Sequence, residues 1–233
     1  MPEVISKYKQ VFILGTSHIS SSSVRTIRTF CKDHEPDIIA VELDKQRLHG
    51  LLHDVPSRAR ISDIRRIGLK GFLFAVIGSW VQKKLGKIVD LKPGSDMKAA
   101  ALIAIKEKKS LALIDQDIEK TLRRFSKTLS WREKWQFVKD IFSFTFFKKR
   151  EMKRMGLHDI DLSKVPPKEL IIKLIDELKA KYPNVYKVLI EERNKHMASA
   201  IKKMMEQNPD KKIFVVVGAG HVQGLLEELK LYK

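Results

Sequence analysis

Two matched endings constrain the fold more than anything else in this sequence. Near the start, Val11-Phe12-Ile13-Leu14 runs into Gly15, and His18 follows three residues later. Near the other end, Ile213-Phe214-Val215-Val216-Val217 runs into Gly218, and His221 follows at the same interval. Each run is too short for a helix and apolar throughout, which is the pattern of a strand buried on both faces. Such strands belong to parallel sheets covered by helices. Glycine after each run predicts a sharp backbone turn. His18 and His221 would then stand just past the strand C-termini, the edge where open α/β sheets place their ligand crevices.

The chain between these endings reads as further turns of the same architecture. Residues 24–34 predict a helix behind a serine cluster, Pro36-Asp37 breaks it, and residues 38–41 form a second apolar strand ending in Glu42-Leu43-Asp44, with Arg47 beyond. Strand, helix and strand of these lengths make a right-handed parallel unit. Residues 111–114 form another short strand, closed by Asp115-Gln116-Asp117. Helices are predicted at 72–81, at 95–108 with Ser95 as cap and Asp96 in the first turn, at 167–181, at 183–207 and at 222–229. In the helix over 183–207, Leu189, Met197, Ala200 and Met204 form an apolar stripe, and Arg193 falls in its middle. A buried lone charge is costly, so Arg193 should meet a carboxylate, with Glu42 and Asp115 the available partners. Glu192 and His196 lie on the stripe's edge. The expected fold is α/β: a central, largely parallel or mixed sheet flanked by helices.

Composition narrows the setting. Lys and Arg number 46 against 28 Asp and Glu, a formal charge of +18 over 233 residues. That surface attracts anions. Cys31 is the single cysteine, which excludes a disulfide framework, and its place in the stripe with Val24 and Ile27 predicts core packing. No apolar signal core opens the sequence, and the longest apolar stretch, 71–81, is too short to span a bilayer. A cytoplasmic chain, with possible contact to a membrane surface, is the expectation. Trp131, Trp135, Val138, Phe142 and Phe146 recur at helical spacing among Lys and Arg. A basic helix over 131–147 with such a stripe suits an anionic membrane surface, a groove wall, a lid or a homodimer contact; simple packing on the domain is the plainer reading. The polar stretch 156–167 marks a boundary, so the chain reads as one domain, 1–233, with a helical insertion or lid at about 118–166.

Four strand ends supply His18, Glu42, Asp115 and His221. Two imidazoles with carboxylates suit a divalent transition metal, which acidifies a bound water and polarises a carbonyl. A spare carboxylate could serve as general base and an arginine could stabilise an oxyanion. Competing motifs fail. There is no H-E-x-x-H, no phosphate-binding P-loop and no G-x-S-x-G elbow. Gly218-x-Gly220-x-x-x-Gly224 mimics a dinucleotide fingerprint, but too little chain follows Gly224 to supply the next strand and its ribose-binding acid. No groove-reading motif for nucleic acid appears.

Taken together, G-T-S-H at 15–18, P-D-I-I-A-V-E-L-D-x-x-R at 36–47, P-G-x-D-M at 93–97, L-I-D-Q-D-I-x-x-T-L-x-R from Leu113, E-R-N at 192–194 and V-V-G-A-G-H-V-x-G at 216–224 resemble the TraB/PrgY family. That family is grouped with the Tiki metalloproteases and, more loosely, with ChaN and erythromycin esterase-like proteins. The resemblance implies a shared α/β core and a metal-dependent peptidase or hydrolase site. It assigns His18, His221, Asp115 and Glu42 to a divalent metal (Mn, Co or Zn), and Glu42, Arg47, Glu192 and Arg193 to catalysis. The alternative it leaves is a non-catalytic module that binds a peptide or hydrophobic ligand, sequestering a pheromone. Asp96 stands where the family often has Glu, and Asn194 where it often has Asp.

Overall fold

A computed structural model describes residues 5–16, 21–53, 94–133, 135–136, 139–140 and 168–231. Five strands form one sheet in the order β1-β2-β5-β3-β4. They are β1 (Ile5–Tyr8), β2 (Val11–Thr16), β3 (Ile38–Val41), β4 (Ser110–Leu113) and β5 (Ile213–Gly218). The four strands the sequence predicts, β2, β3, β4 and β5, run parallel, with β4 at one edge; β1 pairs antiparallel with β2 at the other. The strand β1 is an addition to the sequence reading, and its half-polar ISKY suits an edge.

Helices cover both faces: α1 (Ser21–His34), α2 (Lys45–Leu52), α3 (Ser95–Lys106), α4 (Ile118–Thr128), α5 (Lys168–Lys181), the short α6 (Pro183–Tyr186), α7 (Glu192–Gln207) and α8 (Ala219–Lys230). Alternation along β5 divides the core. Ile213, Val215 and Val217 join Met197, Ala198 and Ile201 of α7 and Leu225 and Leu229 of α8. Phe214 and Val216 join Ile27, Phe30 and Cys31 of α1 and Met97, Ala100 and Ala104 of α3. Cys31 is thus a core residue, and burial pushes its thiol up to about 11.

Three local expectations are corrected. Gly15 does not turn the chain: β2 continues to Thr16, which pairs with Gly218. Glycine is needed because α8 crosses close by; a Cβ at Gly15 would lie 2.6 Å from Val222 Cγ2 and 3.1 Å from Ala219 Cα. Gly15→Ala should therefore cost about 1–3 kcal/mol, the range for overpacking, read as a shift in urea midpoint. Second, Ser95 does not cap α3; Gly94 does, at φ +83°, a conformation glycine adopts without strain. Third, residues 183–207 are not one regular helix. A π turn over Lys187–Glu191 separates α6 from α7, with the Glu192 N–H reaching back to the Lys187 carbonyl. The expected helix at 72–81, the connection at 156–167, and His18 all lie outside the described residues.

Candidate active site

The parallel strands end together, so whatever follows them gathers at one edge. Thr16 ends β2 beside Gly218 of β5, and the two Gly-x-x-His segments start there side by side. Glu42 follows β3, Asp115 lies just past β4, and His221 sits in the first turn of α8, buried at 4% exposure. α7 brings Arg193 over the same edge.

Arg193 meets both of the carboxylates the sequence offered it. Its Nε donates to Asp115 Oδ1 at 3.0 Å and its Nη2 to Asp115 Oδ2 at 2.6 Å. The same Nη2 donates to Glu42 Oε1. Nη1 donates to the Leu189 carbonyl at 3.2 Å, a group inside the π turn, and to His221 Nε2 at 3.1 Å. π turns are frequent at functional sites. The Gly218 N–H, at the start of α8, donates to Glu42 Oε2 at 2.6 Å; a carboxylate is favoured at a helix N-terminus.

A guanidinium can only donate, so His221 Nε2 accepts and the ring proton sits on Nδ1. Asn194 Oδ1 accepts the hydrogen bond from that Nδ1–H at 2.7 Å, which fixes the tautomer and presents the Nε2 lone pair to the cluster. Glu42 Oε1 is 3.3 Å from the same nitrogen, close enough to accept from it once it is protonated. Asn194 is the residue the sequence reading undervalued. A second trace of its role is Gly224, where a Cβ would overlap the Asn194 amide.

Arg47 completes the cluster from α2. Its Nε donates to Asp44 Oδ2 at 2.9 Å and its Nη2 to Asp115 Oδ2. Asp44 also caps α2 through the Arg47 N–H and accepts the Ile118 N–H at 3.1 Å, tying β3 to the start of α4. Burial alone would lift the Asp115 carboxyl. The hydrogen bonds and charge of Arg193, with the charge of Arg47, reverse this and hold it below the ordinary carboxylate value. For Arg193, burial opposes the charge but Glu42 and Asp115 outweigh it, so the guanidinium stays protonated.

Two other residues are placed elsewhere. Glu192 is held by Arg124 at 3.0–3.2 Å on an exposed face. Asp96, fully buried, accepts the Thr16 hydroxyl and the Met97 N–H; that pairing needs no catalytic role.

The donor chemistry bears on a metal. His221 Nε2 and Glu42 Oε1 stand 3.3 Å apart, about the separation of two ligands ~2.0–2.1 Å from a tetrahedral ion. Asn194 on Nδ1 is the outer-shell partner a metal-ligating histidine commonly has. Among the described residues, however, no group of three or more His, Cys, Asp or Glu could hold an ion, and the Arg193 guanidinium lies against both donor atoms. His18 is the further donor that the sequence supplies.

The comparisons with known proteins agree with the motifs. The chain is 33% identical over 226 residues to an uncharacterized protein of Methanocaldococcus jannaschii, covering 94% of this chain and 53% of that protein. It is 23% identical to a TraB domain-containing protein of Mus musculus and 22% identical to one of Homo sapiens, each over 240 residues, 93% of this chain and 61% of the relative. The chain thus spans between half and two thirds of the length of these curated relatives. Among solved structures, an erythromycin esterase mutant in its open conformation aligns with a TM-score of 0.32 and 17% identity, over 90% of this chain and 60% of that one. The match to the TraB/PrgY/gumN family runs over residues 3–231, and the chain belongs to that family.

Proposed function

We propose that the sheet edge is a hydrolytic site acting on peptides, with His221 as its proton-handling group. The observation that carries this is the fixed imidazole: Asn194 holds Nδ1–H at 2.7 Å, and Nε2 faces Glu42 at 3.3 Å. In the metal-free site, once Arg193 Nη1 moves off the Nε2 lone pair it now covers, Nε2 takes a proton from an attacking water, and Glu42 Oε1 steadies the imidazolium that results. Arg193 and Arg47 provide positive charge beside the reacting carbonyl, where an oxyanion develops. Asp115 holds both guanidinium groups in place. The proposal includes a divalent transition metal (Mn, Co or Zn), for which His18, His221, Glu42 and Asp115 are the holding residues. When bound, such an ion would take the His221 Nε2 lone pair and, in place of the imidazole base, would acidify the water and polarise the carbonyl. Its entry requires Arg193 to leave the two donor atoms it now contacts.

That last point favours a second reading, a peptide-binding module without catalysis. Arg193 covers the His221 lone pair, and Arg47 is partly exposed at the rim, where a guanidinium can hold a carboxylate. One experiment separates the two. Purified protein is analysed for metal by mass spectrometry and incubated with a mixed peptide library. Stoichiometric metal lost in His221→Ala and His18→Ala, with cleavage lost in step, is expected. Peptide retention without cleavage or metal in the wild type assigns the site to binding.

A further inference from the structure

We propose that the helical stretch beginning at Trp131 is a docking surface for an anionic lipid bilayer. Residues 131–133, 135–136 and 139–140 are helical. Ser130 and Glu133 make a reciprocal cap: the Glu133 N–H donates to Ser130 Oγ at 3.2 Å, and the Ser130 N–H donates to Glu133 Oε2 at 3.0 Å. The Glu133 carboxylate also accepts the Asn184 backbone and side-chain N–H groups at 2.7 and 2.8 Å. One turn pair later, Asp140 accepts the Tyr182 hydroxyl at 2.5 Å and pairs with Lys181. Glu133 therefore clamps its face of the helix to the α5–α6 junction, and Asp140 ties its own turn to the same place.

At ~100° per residue, Trp131 and Trp135 project roughly 160° away from that clamped face and about 40° from each other. Both are exposed, at 74% and 65%. Clamping one face while leaving two indoles outward is a costly arrangement for a merely packed helix, since apolar ring area stays in water. Arg132 and Lys139 flank the rings on one side and Lys127 precedes them; all three are exposed. Indole is the side chain suited to the headgroup region, with an apolar body and a polar N–H. Lysines and arginines beside it match an anionic surface, and the formal charge of +18 supports the same sign at long range. A second copy of this chain is a poorer occupant. In an antiparallel two-fold contact centred on the two Trp, Arg132 would approach its own counterpart. No described helix is long and apolar enough to cross a membrane.

Co-sedimentation with phosphatidylcholine vesicles, alone and with about one part in three phosphatidylglycerol, tests this. Wild-type protein should pellet with the anionic vesicles only, and raised salt should weaken the binding. Trp131→Ser with Trp135→Ser should reduce binding about tenfold or more, as should Arg132→Glu with Lys139→Glu. Unchanged thermal melts show that both variants keep the fold. Equal pelleting with neutral vesicles overturns the proposal, as does full binding by the tryptophan variant. So does a wild-type dimer that this variant converts to monomer while vesicle binding persists.

Discussion

An Arg193→Met variant is expected to lose about 3–5 kcal/mol of folding stability at neutral pH, the usual cost of removing one partner from a buried ion cluster. Methionine fits the apolar stripe of α7, so the loss is electrostatic. Among their described partners, Glu42 keeps the Gly218 N–H and the His221 ring, and Asp115 keeps Arg47 and the Gln116 N–H. Two buried carboxylates then stand close together with one cation withdrawn. Their protonation becomes easier, so the deficit should already shrink as the pH falls toward the ordinary carboxylate range. A second substitution, Glu42→Gln, should restore part of the loss, because it removes a charge that Arg193 no longer balances. Urea titrations from pH 7 to pH 4 measure both effects. Wild-type stability in Arg193→Met at pH 7 would assign Arg193 to ordinary packing.

The charge in this cluster was visible in the sequence because it broke a pattern. Arg193 interrupts an apolar stripe, and Glu42 and Asp115 end apolar runs; each is a local anomaly that periodicity exposes. The strands were legible for the same reason, since both faces of a central parallel strand are buried and every position is apolar. What the sequence hid depends on register between distant segments. Thr16 finds Asp96 across the sheet edge, Asp44 finds the Ile118 N–H, and Asn194 finds His221. No local pattern encodes such pairings. Gly15 shows the same limit from another side: a glycine after an apolar run reads as a turn, but the requirement comes from Ala219 and Val222 of a helix about 200 residues later. The π turn was hidden because a one-residue expansion leaves the apolar stripe of α7 nearly unchanged, while it places the Leu189 carbonyl within reach of Arg193 Nη1.

Asp115→Asn should cost a similar amount, about 3–5 kcal/mol, but with a different pH dependence. The Asp115 side chain is 1% exposed and binds both guanidinium groups. An amide of the same shape can accept from one and must turn an N–H toward the other, which leaves the buried Arg193 with Glu42 and the partly exposed Arg47 with Asp44 as their described counter-charges. In the wild type, Arg193 and Arg47 hold the Asp115 carboxyl below the ordinary value near 3.9. The sign follows from which state takes the proton first. As the pH falls, the unfolded chain protonates Asp115 before the folded chain does, so the stabilisation is complete above that ordinary value and is lost as the pH falls through the lower, folded value. The gap between wild type and Asp115→Asn should therefore stay constant from pH 7 to about pH 5 and close only in stronger acid. The Arg193→Met gap narrows at higher pH, because there the variant itself takes up protons. Denaturation curves for the three proteins on one pH series read this order directly. If the Asp115→Asn gap instead closes first, or is absent at neutral pH, Asp115 is not the anchor of the two arginines, and the proposed placement of positive charge beside the scissile carbonyl falls with it.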